Sequence, residues 1–569
     1  MAETRRQKYN VLRSAMEAER ASFMPHWRDL ADYVLPRRPQ FSITETNKGE
    51  RRNLKIIDST ATLAARTLRS GMMSGVTSPA RPWFRLSTPD PSLAEFGPVK
   101  DWLHIVSQRM STVFLRSNLY NALPTVYGDI GVFATAAMGI EEDFDGVIRC
   151  YPFSLGSYAI ANNDRLKVDV FSREFRLTVR QTVQKFGKLN ERSGSADWSV
   201  FSDRVKEAYD RGNLDQWVDI CHVIQPNQEY NSNSLTSKRY KYQSVYYDKT
   251  TSDQEEKYLR DSGYDYFPVL CPRWEVSGED VYGTECPGMT ALGDTKALQL
   301  LQKRKSQAIE KHINPPMTAP TSLRSQRASI LPGDITYVDE RDGQKGFRPV
   351  HEVKPDIQGV VLDIQEHQHR IRRAYYEDLF LMLATSDRRQ ITAREIDERH
   401  EEKLLAVGPV LEQLNQDLLD PLIDVTFNIM VRQGLIPEPP EELQGMDLKV
   451  EYVSIMHQAQ KLAGLAGIER FSAYVGQLAT VNPEVIDKID MDQAIDEYGE
   501  ITGVPPRIVR PDEMVAEMRQ ARAQAAQTQQ QAMTMAEGAK TAKDLSGASL
   551  DGNNALTALL RQAQAGQIA

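Results

Sequence analysis

Thr290–His312, TALGDTKALQLLQKRKSQAIEKH, and Ile357–Leu383, IQGVVLDIQEHQHRIRRAYYEDLFLML, read as two long helices around an insert that opens on Asn314-Pro315-Pro316. At about 1.5 Å per residue each helix is roughly 35 to 40 Å long. Paired antiparallel, they carry the insert well away from the bulk of the chain. Such a hairpin cannot bury all of its sides against a small insert. Neighbouring copies of the same hairpin are the economical cover, so the pattern predicts an assembly protein, each subunit a spoke in a ring.

Outward from the hairpin, the insert has strand signals around Ile335–Val338 and Gly346–Val350, with Asp342-Gly343 as a tight turn. After the second helix comes a polar break, Thr385-Ser386-Asp387-Arg388-Arg389-Gln390. Thr392-Ala393-Arg394-Glu395 then has the form of a capping box. The helix it opens should bend at Gly408-Pro409 and resume through Leu411, Leu414, Leu418 and Leu422. Pro437-Glu438-Pro439-Pro440 reads as a linker, followed by several short helices up to Ile501. From Pro511 the chain is Ala/Gln-rich and helical, with few large side chains to bury. Alone that helix is weak; side by side in a ring it could form a tube, and otherwise the tail is disordered.

Toward the N-terminus, residues 4–34 have helical spacing, with Pro25 predicting two helices or a kink. Asp58-Ser59-Thr60 caps a helix reaching Gly71. The prolines of Ser78–Leu86 demand extended chain, and two more helices are predicted at 101–115 and 121–138. Val168–Phe175, Trp217–Ile224 and Tyr240–Tyr247 approach period-two alternation, with Asn231–Ser234 and Asp261-Ser262-Gly263 as hairpin tips. The fold class is α+β, with a mixed body up to about Pro287.

At 569 residues the chain exceeds a single core, and three or four structural units are expected. Its longest apolar run, Leu379–Ala384, cannot span a bilayer, and Met1–Arg6 does not open a signal peptide, so the chain reads as soluble and cytosolic. Cys150, Cys221, Cys271 and Cys286 form no CxxC pair; they read as reduced, partly buried thiols rather than a zinc site or a disulfide. A net charge of −9 argues against tight DNA binding, yet suits contact with DNA that must slide.

No phosphate loop, HExxH or GxSxG is present. His367 and His369, two apart on a helix, point in different directions and read as a solvated face without a metal. Asp397, Glu398, Glu401 and Glu402 lie beside Arg394, Arg399 and Lys403 and read as surface ion pairs. No catalytic residue, metal or cofactor is assigned. Three basic features could touch DNA, each with a plainer alternative. Lys303-Arg304-Lys305 on the first long helix could instead pair with neighbours. Arg324 and Arg327 in the insert could grip a docking protein. Arg388-Arg389 in the polar break could project into a lumen.

Four segments in this order resemble the portal, or head-to-tail connector, proteins of short-tailed phages: Trp27–Pro36; Asp58 through Gly71-Met72-Met73-Ser74-Gly75 to Pro82-Trp83-Phe84-Arg85-Leu86; the hairpin around Asn314-Pro315-Pro316-Met317; and Ile391–Ile396 with its long helix. The resemblance implies a dodecameric ring at one capsid vertex that passes double-stranded DNA during packaging and ejection. It implies a wing at 1–288 and 391–465, stem helices at 289–313 and 356–383, and a clip at 314–355. A tunnel loop at 384–390, including Ser386–Gln390, and a helical crown or barrel at 466–569 complete the plan. The clip, with Asn314, Pro315, Pro316, Arg324 and Arg327, would dock the terminase motor and later the tail adaptor protein. Major capsid and scaffolding proteins are further implied partners, in the virion and in the host cytoplasm during assembly, with no membrane. The rival reading is a monomeric, metal-dependent nucleic-acid-processing enzyme.

Overall fold

The computed structural model describes residues 4–42, 49–50, 52–90, 93, 96–187, 197–251, 256–319, 324, 329, 348–349, 356–386, 407–443, 445, 448–453, 471–478, 492–495 and 512–546. The chain forms two compact units. One comprises Met1–Leu86, Ile105–Glu438 and Val450–Gly464; the other comprises Ser87–His104, Pro439–Lys449 and Leu465–Ala569.

Helix α1 (Arg5–Tyr33) opens on a capping box between Thr4 and Gln7 and runs unbroken through Pro25, so the split into two helices does not occur. Its last turns fix the direction, since Trp27, Leu30 and Val34 are fully buried. Helix α2 (Thr60–Gly75) continues a turn beyond the expected end. Its cap is the Asp58 carboxylate, which accepts from the Thr60 amide at 2.8 Å and the Thr60 hydroxyl at 2.5 Å. Strand β1 (Phe84–Ser87) occupies the extended, proline-bounded stretch. Helix α3 (Gly97–Arg116) follows, then α4 (Leu119–Phe133). α4 stops five residues short of the predicted end because Ala134 turns left-handed (φ 62°) and the chain enters β2 (Met138–Asp143).

β2 pairs with β3 (Val147–Pro152) in a hairpin whose tip is Phe144-Asp145-Gly146. β4 (Tyr158–Asn162) and the long β5 (Val168–Thr178) lead to α5 (Val179–Phe186) and α6 (Asp203–Asp210). β6 (Trp217–Pro226), β7 (Tyr242–Asp248) and β8 (Arg260–Tyr264) complete an antiparallel five-stranded sheet in the order β4-β5-β6-β7-β8. β9 (Val269–Leu270) joins β2 and β3 in a three-stranded sheet.

The five-stranded sheet is covered on both faces, so β6 and β7 are buried almost continuously and their successive side chains face opposite layers. Val218, Ile220 and Tyr246 pack with Phe186 and Val205 of α5 and α6. Cys221, Val223, Val245 and Tyr247 pack with Tyr9 of α1. Asn231–Ser234 lies in the β6–β7 connection as predicted, whereas Asp261-Ser262-Gly263 lies inside β8 rather than at a tip. Gly263 is there for space: a Cβ would stand 2.4 Å from the Tyr242 carbonyl oxygen. All four cysteines are buried and unpaired.

A single turn, Pro287–Thr290, leads into α7 (Leu292–Ile313). Beyond it β10 (Met317–Thr318) pairs antiparallel with β11 (Arg348–Pro349), and α8 (Ile357–Ala374) returns. The strand at 335–338 and the Asp342-Gly343 turn lie outside the described residues. The second long helix is not continuous. Tyr375 is fully buried, Tyr376 adopts φ 54°, and α9 (Glu377–Ser386) starts afresh. α9 also carries helix to Ser386, inside the expected loop.

Helix resumes in the described residues at Val407, passes through Gly408-Pro409, and widens into a π-helical turn at Asn415–Leu419 before α10 (Asp420–Arg432). That turn brings Asp417 to the buried Arg273, with 3.0 Å between Oδ2 and Nε. β12 (Lys449–Tyr452) pairs with β1. The expected capping box at 392–395 lies outside the described residues, as do most of the predicted short helices before Ile501. In the second unit, α11 (Asp512–Ser546) realises the Ala/Gln-rich helix, and Arg519 binds Asp492 at 2.6 Å. Among the described residues no helix is long and apolar enough to cross a membrane.

Candidate functional site

The α7–α8 hairpin is antiparallel, since Asp294 at the start of α7 meets His367 and Arg370 late in α8, while the far ends lead into β10 and β11. Its footing is polar and centres on Asp58. One carboxylate oxygen caps α2; the other accepts from Gln302 of α7 at 2.9 Å and Gln368 of α8 at 2.8 Å. Gln299 locks the adjoining backbone. Its Oε1 accepts from the Ile57 and Asp58 amides at 2.6 and 2.7 Å, and its Nε2 donates to the Asp58 carbonyl at 2.9 Å. Burial pushes the Asp58 carboxyl up, but the donors from Thr60, Gln368 and Gln302 outweigh it and hold the group below its ordinary value. Lys296 adds an ion pair to Asp29 of α1 at 2.6 Å. Three helices thus share one anionic anchor.

Among the described residues, three aliphatic side chains of the hairpin past Gln299 are exposed. Leu300 is 47 % exposed, Leu362 66 % and Ile313 76 %.

The basic residues singled out from the sequence fall along this hairpin. Lys303 and Arg304 are exposed and Lys305 is half-buried. Among the described residues none of the three makes an ion pair, so the expected pairing with neighbours is absent. Asn314 ends α7, Pro315 and Pro316 lead into β10, and Arg324 is exposed. Ser386 is the last residue of α9. Arg327, Asp387, Arg388, Arg389 and Gln390 lie outside the described residues, as do Asp397, Glu398, Glu401 and Glu402. His367 is not on a solvated face: its Nδ1 lies 2.8 Å from Asp294 and ties the two helices together, while His369 is exposed. Among the described residues no cluster could hold a metal ion.

Sequence reasoning missed Asp58, Gln299, Gln302 and Gln368 as an anchor. The available signal was Gln299 and Gln302 three apart, on the face of a helix that also carries Leu292, Thr295 and Leu298.

Residues 6–509 match the family described as "Bacteriophage head to tail connecting protein". The chain belongs to that family. It is 48 % identical over 568 residues to the "Portal protein" of Salmonella phage epsilon15, covering all of both chains. It is 42 % identical over 546 residues to the "Probable portal protein" of Bordetella phage BPP-1, covering 96 % of each. Its role is that of a phage portal, the structural connector between head and tail. A monomeric nucleic-acid-processing enzyme finds no support in this membership.

Proposed function

We propose that the chain assembles into a dodecameric ring at one capsid vertex and serves as the channel for double-stranded DNA packaging and ejection. The carrying observation is the α7–α8 hairpin, fixed at its foot through Asp58, with Leu300, Leu362 and Ile313 exposed among charged side chains along its length. In this reading the hairpins are stem helices standing side by side, and Leu300, Leu362 and Ile313 are covered by the next copy.

Residues 1–288 and 391–465 form the wing, 314–355 the clip, 384–390 the tunnel loop and 466–569 the crown or barrel. Lys303, Arg304 and Lys305, without acidic partners among the described residues, are suited to loose contact with passing phosphates. The net charge of −9 keeps the channel from adhering to DNA. Arg388 and Arg389 act at the constriction, while Arg324 and Arg327 belong to the clip surface that meets the terminase motor and the tail adaptor protein. Major capsid and scaffolding proteins surround the ring, which is built in the host cytoplasm and ends in the virion.

Negative-stain electron microscopy of the purified chain, with its mass in solution measured in parallel, tests the reading. Rings with a central hole and a mass near twelve chains are expected. A monomer at every concentration and salt tried would overturn self-assembly of the isolated chain.

A further inference from the structure

One row of side chains in the first unit is used neither by a stem nor by a channel. Arg173 of β5, His222 of β6, Tyr246 of β7 and Arg260 of β8 are direct cross-strand partners, so all four leave the sheet on one face. His222 and Tyr246 form the buried middle of the row, stacked at 3.7 Å between ring centres and 10° between planes. An arginine stands at each end. Lys185, near the end of α5, lies over the row with its Nζ 5.7 Å from the Tyr246 ring centre.

Aromatic rings hold the three cations together. Arg173 Cζ is 4.5 Å from the centres of both Phe153 and Phe175. Lys185 shares the Phe175 ring with Arg173 and the Phe186 ring with Arg260. Arg260 also donates to the Lys185 carbonyl at 3.4 Å. Ring faces attract cations but do not neutralise them.

Counter-charge is scarce here. Burial and then Arg173 hold the Lys185 ammonium below its ordinary value; Glu141 of β2 opposes them, and Arg260 adds to them. Burial and the same three cations push the His222 imidazole well below its ordinary value, so it stays neutral. Among the described residues, Arg173, Lys185 and Arg260 make no ion pair, and the buried Arg173 Nε has no hydrogen-bond partner. Three cations thus face the single carboxylate of Glu141.

We propose that Arg173, Lys185 and Arg260 form a binding site for a phosphate group. At pH 7 a phosphate carries about −1.5 to −2, which matches the excess, whereas one carboxylate leaves a cation uncompensated. Its oxygens accept from two guanidinium forks and an ammonium at once. Arg173 is the half-buried floor, and the exposed Lys185 and Arg260 close the site from the solvent side. Because the cations come from β5, α5 and β8, a bound phosphate ties the covering helix to the sheet and to its edge strand. Two sources carry this chemistry: a free or monoester phosphate, and neighbouring phosphates of a nucleic-acid strand. The site needs no second copy, so it stands or falls separately from the ring.

Equilibrium dialysis of the full-length chain against radiolabelled inorganic phosphate, in chloride buffer, tests the site. The unaltered chain is expected to take up one phosphate per subunit. Lys185→Gln and Arg260→Gln, both at exposed side chains, are expected to bind it about tenfold or more weakly, and Lys185→Arg to retain it. Melting in chloride checks that each variant folds. Adding phosphate should raise the melting temperature of the unaltered chain by roughly 2 °C more than that of either glutamine variant. The general stabilisation by phosphate salts is common to all chains and cancels in that difference. A short DNA duplex that displaces the label assigns the site to a nucleic-acid backbone, and one that leaves it bound assigns the site to a free or monoester phosphate. No uptake by the unaltered chain overturns the site. Equal uptake by the glutamine variants does so too, since it would mean adventitious binding elsewhere.

Discussion

Asp129 sits on α4 inside the first unit, only 2 % exposed, and holds Arg38 by both of its oxygens. Burial raises its carboxyl from 3.8 to about 6, a displacement that Arg38 and Arg69 lessen without cancelling. The native state therefore grips this proton more tightly than the unfolded chain does. Its contribution to stability is complete below about pH 4 and is lost as pH climbs through about 6. The span corresponds to about 3 kcal/mol. Asparagine has nearly the same shape and does not titrate. The melting temperature of Asp129→Asn should therefore gain on the unaltered chain between pH 4 and 7, by several degrees. A constant gap across that range would mean that Arg38 fully offsets the cost of burying the charge. Nothing in the sequence marked this residue: Tyr127-Gly128-Asp129-Ile130 reads as helix, and its partner Arg38 is 91 positions away. Long-range polar pairs such as this one, or Arg273 with Asp417, leave no periodic trace.

The elements were far more legible than the pairs. Approximate period-two alternation located β5, β6 and β7, though cover on both faces of the sheet blurs it into nearly continuous burial, and helical spacing located α1, α2 and α7. The failures fall where one residue overrides a local pattern. Ala134 and Tyr376 adopt left-handed backbone inside stretches that read as continuous helix, at φ 62° and 54°. Gly263 reads as a turn but is a strand residue chosen for its missing side chain. Gly71-Met72-Met73-Ser74-Gly75, quoted above for its resemblance, gains a physical cause in the same way. A Cβ on Gly71 would lie 2.2 Å from the Phe380 ring of α9, so glycine lets α2 and α9 approach closely. Gly71→Ala should cost about 1 to 3 kcal/mol through overpacking, more than the roughly 1 kcal/mol that alanine gains as a helix former. Gly128→Ala makes a fair comparison, because its Cβ would meet only the flexible Arg69 side chain, at 3.3 Å. A thermal melt should place Gly71→Ala several degrees below the unaltered chain and Gly128→Ala at or above it. Equal melting of the two would deny that α2 and α9 are in tight contact through Gly71.

On the scale of the molecule, what was legible was a mismatch between length and cover. Two long amphipathic helices joined by a small insert announced that a single chain could not bury them, and the folded chain leaves Leu300, Leu362 and Ile313 in water. The proposed channel loop was legible only as polar composition, and the role proposed for it rests on its place after α8 and α9 in the chain. Which face of the hairpin would meet another copy was not legible, because such a surface has no partner within the chain to set a spacing. Leu362 gives the sharpest test of the whole arrangement. It is 66 % exposed on α8, away from the Asp58 anchor, so Leu362→Glu should leave the subunit's melting within about 0.5 kcal/mol of the original. If neighbouring stems cover that position, each interface acquires a carboxylate with no partner, at a cost of several kcal/mol. Rings should then fall at least tenfold at a concentration where the unaltered chain is fully assembled, as read by mass in solution. Full assembly of Leu362→Glu would place this face of α8 in water within the ring and turn the stem's packing surface to Leu300 and Ile313.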